Sequence, residues 1–403
     1  MPLVQPRRAT LAAASSSMLG FLPVFMVAAQ GVLVRAELDF DEAQLGIAVS
    51  VFFATGALLA APGGRLSERL GPRRGMMVTA GATAVLVVLI AQLVSDWATL
   101  LVFMGLAGSV NAVAQTSGDL SVARGVPEHV QGLAFGIKTS CLPMATLLAG
   151  VAIPVVGVNF GWRASFLAAA GVAAAVAALI PRGSSFRPAP PKRTAPRPNA
   201  SRSALLVLML SGALSIGAVN TMGAFYAESA LRLDLSPSAA GWWLAVGSLG
   251  AVAGRIGFGA VGDRLHRPHL AVVAWLWIAG GIGMAFLAPA SSLPLFAVAT
   301  LVAFTAGSGW TGLFLTAVVR SNPAAPAAAT GVVMTGQFAG SVVGPLLFGA
   351  AASRGRYFGA WIVTGLALAG AAALLPTAER LLGRARQIEG SDPEQQSSPS
   401  SPS

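Results

Sequence analysis

The chain has 403 residues, a mean hydropathy of +0.72, 55% hydrophobic residues and only 10% charged ones. That much charge cannot cover a water-soluble globule of this length. The net charge of +11 does not signal a nucleic-acid partner, because nearly all of it lies between apolar runs, where basic residues orient a chain in a bilayer. A single cysteine, Cys141, excludes an intramolecular disulfide framework.

Twelve apolar runs follow one another, each near the length that crosses roughly 30 Å of hydrocarbon as a helix. They fall near 9–33, 43–62, 75–95, 97–121, 131–154, 164–181, 203–225, 238–258, 269–289, 293–318, 330–352 and 357–376. The runs are continuous, rich in Ala, Leu and Gly, and do not alternate, which argues against a barrel. The first run is too long for a signal-peptide core and reads as a retained helix. With the N-terminus inside, nineteen basic residues fall inside and five outside. Both termini are therefore expected in the cytoplasm, and the membrane is expected to be a bacterial inner membrane. The stretch 182–202 is rich in Pro and Arg and reads as an extended tether between residues 1–181 and 203–376. Residues 377–403 read as a cytoplasmic tail, disordered from about 387.

The two halves repeat. At an offset of 195, Asp39 matches Asp234, Gly46 matches Gly241, Gly64 matches Gly259 and Arg69 matches Arg264. At 199, Pro127 matches Pro326, Gly132 matches Gly331 and Trp162 matches Trp361. A duplicated six-helix unit is a transporter architecture. The expected fold is all-α: twelve transmembrane helices in two pseudo-symmetric halves.

The connection between spans two and three, GGRLSERLGPRRG, concentrates charge: Gly64, Glu68, Arg69, Gly71, Arg73 and Arg74. A weaker copy reads Gly259, Asp263, Arg264 and Arg267. An acid beside arginines can form charge-assisted hydrogen bonds. Positive-inside topology alone explains the arginines but not the acids. This pattern resembles the loop signature of the major facilitator superfamily, with Glu68 where that family usually has Asp. The resemblance covers the whole chain. It implies a secondary transporter working by alternating access, spans 1, 4, 7 and 10 around a central cavity, and these loops as a cytoplasmic gate.

Two patterns of the family's proton-coupled drug exporters are missing. Met104 stands where they carry an Arg in span four, and span five lacks their Gly-Pro, which occurs in span eleven instead. The stretch GLAFGIK, a following proline and GWR look more like the branch that includes cyanate and nitroimidazole-type transporters. Trp162 and Trp361 read as interface anchors. Arg255 reads either as snorkelling or as touching the Asp263 loop.

Span four carries Asn111, Gln115 and Asp119 at i, i+4 and i+8, a polar stripe about 12 Å long on one helix face. Such a stripe faces a partner or water, not lipid. Lys138 on span five stands at a depth similar to that of Asp119, so the two can meet. They form either a packing pair or a substrate or proton site. Gln30, Asn220 and Gln337, which overlays Lys138 in the second half, are weaker cavity candidates. His129, His266 and His269 fall in loops or at helix ends, so neither metal nor cofactor is expected. No acid/base group beyond Asp119 and Lys138 suggests an enzyme. The expected partners are a small-molecule substrate, protons and the bilayer, with the chain a monomer. The leading expectation is transport of a small organic solute, an anion if Lys138 anchors it. The alternative is a proton-coupled drug or metabolite efflux antiporter.

Overall fold

The computed structural model describes residues 5–127, 130–181, 186, 202–264, 270–287, 292–322 and 326–390. Every regular element among them is helical. The first half comprises α1 (Pro6–Ala29), α2 (Gly31–Leu38), α3 (Glu42–Leu58), α4 (Ala60–Leu93), α5 (Trp97–Gly125), α6 (Gln131–Thr139), α7 (Cys141–Ala152), a π-helical turn (Ile153–Gly157) and α8 (Val158–Leu179). The second half comprises α9 (Arg202–Leu231), α10 (Pro237–Arg264), α11 (Leu270–Leu287), α12 (Leu293–Gly309), α13 (Thr311–Ser321), α14 (Pro326–Ala352) and α15 (Tyr357–Gly390).

These helices make twelve passes. Gly71 (φ 75°) is the one non-helical residue within α4, and Gly161 (φ 82°) plays the same part within α8. Only glycine takes such a φ without strain, so each marks a reversal between two passes. The second pass therefore runs through α3 and on to Leu70, longer than its apolar run, and the third starts at Pro72. Gly64, Glu68 and Arg69 thus stand on helix rather than in a loop. At the other end, α15 continues to Gly390, past the point where the tail was expected to lose structure. Most of 182–202, and all of 391–403, lie outside the described residues.

The repeat is visible in the backbone. Asp39 (φ 49°) and Asp234 (φ 57°), matched at offset 195, are the two described non-glycine residues with positive φ. Each ends the first pass of its half, and aspartate tolerates that conformation better than most residues. The face where α1 begins is called here the terminal face, and the other the opposite face.

Within the first half α1 and α4 pack on α5; within the second, α14 and α15 pack on α9. Two seams join the halves, α3 against α14 and α7 against α10. Backbones nearly touch at the second seam. A Cβ on Gly150 would lie 2.9 Å from the Gly241 carbonyl oxygen, and one on Gly241 would lie 2.6 Å from that of Gly150. Small residues let helices approach this closely in a bilayer, where lipid offers no hydrophobic drive.

Trp162 and Trp361 are not interface anchors. Both are buried, and each indole N–H reaches inward to the end of the first pass of its half: Trp162 to Glu37 at 2.6 Å, Trp361 to Ser229 Oγ at 2.9 Å. A buried indole needs an acceptor, and these ends supply one.

Candidate substrate site and gates

α5 runs to the terminal face at Gly125, so Asp119 stands about 9 Å from its end. Gly118 beside it leaves room for a neighbour: a Cβ there would lie 2.3 Å from Ser17 Oγ and 3.1 Å from Lys138 Cε. Lys138 on α6 fills that room. Its Nζ lies 2.9 Å from Asp119 Oδ1 and donates to Gln115 Oε1 at 3.1 Å. The Gln115 amide donates in turn to Asn111 Oδ1 at 2.9 Å and to the Ser17 carbonyl at 3.0 Å. Asn111, Gln115, Asp119 and Lys138 therefore form one connected polar chain tied to α1. Met104, one of the buried residues of α5, is apolar core.

The pair is asymmetric. The Lys138 side chain is 7% exposed and that of Asp119 is 52% exposed. Burial of an ammonium is tolerable only with a counter-charge and acceptors, and the cluster supplies both.

The weaker candidates lie apart from this chain. Gln30 sits at the break between α1 and α2, buried, with both side-chain amide atoms lacking a partner. Asn220 donates to Ser341 Oγ at 2.8 Å. Gln337 packs against Gly212 on α9. Arg255 does not snorkel, and the side chains of the Asp263 loop that it was expected to touch lie outside the described residues. Arg255 is 4% exposed and donates to Ser308 O, Ser308 Oγ and, across the seam, the Thr139 carbonyl.

On the terminal face, Glu68, Arg69, Arg73 and Arg74 are exposed around the Gly71 turn. The buried polar member of this segment is Ser67, bonded to Thr116 Oγ1 at 2.8 Å and to Ser117 Oγ at 2.9 Å. Gly259 lies on α10. The side chains of Asp263 and Arg264, and all of Arg267, fall outside the described residues. Cys141 is free and buried. Among the described residues no cluster of metal-ligating side chains occurs, and His129, His266 and His269 all lie outside them.

A second charged group, which sequence reading did not assemble, closes the opposite face. Arg35 at the end of α2 pairs with Glu228 of α9 at 2.7 Å and with Glu42 of α3 at 2.9 Å. Arg232 reaches Glu42 at 3.5 Å and lies 4.0 Å above the Tyr357 ring. These ions join the two halves. The only signal for them was charge placed at matching ends of passes one and seven.

Beside that closure, Glu37 accepts from Arg163 at 2.7 Å as well as from Trp162. Burial works to raise the Glu37 carboxyl. The Arg163 and Trp162 hydrogen bonds, with the guanidinium charge, outweigh it and hold Glu37 below the usual carboxylate range.

No curated protein sequence matches the chain. Among solved structures, it resembles a bacterial homolog of the human lysosomal transporter Spinster. The inward-facing, unoccupied form gives a TM-score of 0.71 at 16% identity, over 94% of this chain and 98% of that one. The inward-facing, occupied form gives 0.68 at 17% identity, over 94% and 96%. At that identity the likeness is one of fold. The sequence pattern of the Major Facilitator Superfamily matches residues 9–234 and 204–400, so nearly the whole length is covered, and the chain belongs to that superfamily of membrane transporters.

Proposed function

We propose that this protein is a secondary transporter that moves a small organic anion across a bacterial plasma membrane by alternating access. The observation that carries this reading is the buried Lys138 ammonium, held by Gln115 and by a half-exposed Asp119. A lysine so placed offers three donors to an anion if its carboxylate partner turns towards water. The chain acts as a monomer with both termini cytoplasmic, in keeping with the distribution of its basic residues. The terminal face is then the inner one. Glu68, Arg69, Arg73, Arg74, Asp263 and Arg264 act as its gate, and the Arg35–Glu228 group closes the outer one. The GLAFGIK stretch, proline and GWR favour the cyanate and nitroimidazole-type branch.

The test is a solute screen in sealed vesicles, with and without an imposed pH gradient. Uptake or export of a carboxylate, weakened in Lys138→Gln but not restored in the Lys138→Gln, Asp119→Asn double variant, supports the anion site. Restoration in the double variant makes the pair structural. Separately, Glu68→Gln should shift the balance of inward and outward forms; an unchanged balance with unchanged transport removes the gate reading.

A second reading rests on the exposure of Asp119, a carboxyl able to exchange protons from the terminal face. In that reading the protein is a proton-coupled efflux antiporter. Asp119→Asn then uncouples transport from the pH gradient, and unchanged gradient dependence dismisses it.

A further inference from the structure

Arg255 is a buried cation with no carboxylate within ion-pair distance among the described residues. Its Nε donates to the Ser308 carbonyl at 3.0 Å and its Nη2 to Ser308 Oγ at 3.1 Å, both within its own half. Nη1 crosses the seam to the Thr139 carbonyl. That carbonyl is free for a local reason. Its helical partner would be the N–H of residue 143, and Pro143 has none. The helix breaks there, α6 ending at Thr139 and α7 starting at Cys141. Arg255 thus caps the end of a helix in the other half, where a cation is electrostatically favoured.

Thr139 follows Lys138 directly in sequence. Cys141, two residues beyond Thr139, is buried, and its Sγ stands 3.8 Å from the same Gln115 Oε1 that Lys138 binds. Two cations and one carboxylate therefore share this region, and the carboxylate is the half-exposed one. Such a balance suits one further negative charge. A neutral carbonyl is the weaker acceptor for a guanidinium; a carboxylate matches its fork with two hydrogen bonds. When the halves move apart at α7 and α10, Arg255 loses Thr139 and keeps only the neutral acceptors of Ser308, with Nη1 left unpaired.

We infer that Arg255 is the second cation of a monoanion site shared by the two halves, and that a small carboxylate replaces the Thr139 carbonyl on its guanidinium. This rests on the anion reading of Lys138 and extends it. Substrate binding is then differential between conformations, because the carboxylate gains Arg255 only where the Thr139 contact is broken. A ligand shifts a conformational equilibrium only through such a difference.

The test uses the full chain in lipid nanodiscs and thermal unfolding titrated with benzoate and acetate, against benzamide, acetamide and succinate. Benzoate or acetate should stabilise the protein, the amides should not, and succinate should do so more weakly. Arg255→Gln should weaken the monocarboxylate response by about tenfold or more, the loss expected for a charged hydrogen bond. Arg255→Lys, which keeps the charge and guards against misfolding of the Gln variant, should weaken it less. An undiminished benzoate response in both Arg255 variants, with loss in Lys138→Gln, overturns the role of Arg255 and leaves the Lys138 reading standing. Equal responses to benzoate and benzamide, or none to any monocarboxylate in the unaltered protein, overturn both.

Discussion

Lys138 and Asp119 form an ion pair whose partners occupy different media. The nitrogen and oxygen are 2.9 Å apart, yet one side chain is 7% exposed and the other 52%. The pair is therefore not symmetric in what each member needs from the other. Asp119 is solvated without Lys138; Lys138 without Asp119 keeps only Gln115 among the described residues.

The two single variants should differ in stability. Asp119→Asn leaves a buried ammonium without a counter-charge and should cost about 1–3 kcal/mol. Lys138→Gln leaves a carboxylate that water screens, and should cost under about 1 kcal/mol. Thermal unfolding in detergent reads the order. If Lys138→Gln is the more destabilised, the asymmetry does not control the pair.

Loss of the Arg35 closure at the opposite face should shift the conformational balance. Arg35 bridges Glu42 and Glu228, with side chains 14–18% exposed. Arg35→Gln should favour forms open at the opposite face by about fivefold, equivalent to roughly 1 kcal/mol for partly exposed pairs. Spin labels at Ala36 and Ser353, one on each half, should show a longer distance population. An unaltered distance distribution would mean that the seam contacts alone hold this face shut.

The Glu37–Arg163 clasp should be acid-sensitive. The Glu37 carboxyl is held below its ordinary value in the folded protein. Its contribution is therefore complete above the unfolded value of about 4.3 and is lost as pH falls through the lowered folded value. Glu37→Gln should unfold at lower temperature than the native chain at pH 7, with the gap narrowing below about pH 4. A gap that is constant with pH would assign the effect to the Trp162 contact instead.

Gly118→Ala should disturb the site directly. The new methyl would meet Ser17 Oγ at 2.3 Å and Lys138 Cε at 3.1 Å. Overpacking of this kind costs about 1–3 kcal/mol. Because Lys138 is displaced as well, transport should fall further than the amount of folded protein. Ser17→Ala in the same chain should recover part of the stability; no recovery would place the clash elsewhere.

Much of this was legible in the sequence. Hydropathy alone dictates a helical membrane protein, because an unpaired backbone group in hydrocarbon is too costly for any other continuous apolar run. The repeat predicted corresponding geometry, and the left-handed backbone at both Asp39 and Asp234 fits it. The i, i+4, i+8 spacing put Asn111, Gln115 and Asp119 on one face, since helical periodicity is local. Even the meeting of Lys138 with Asp119 followed from equal depth on neighbouring passes. Tertiary structure alone decided contacts between residues far apart in sequence. Arg35 meets Glu228 across 193 positions, Arg255 meets Thr139 across 116, and Trp162 turns inward to Glu37 across 125. Charge and aromaticity put such side chains at a membrane face or within a span, but their periodicity carries no partner. Which neighbour supplies the acceptor depends on how two six-helix units are set against each other, and that is a property of packing between halves.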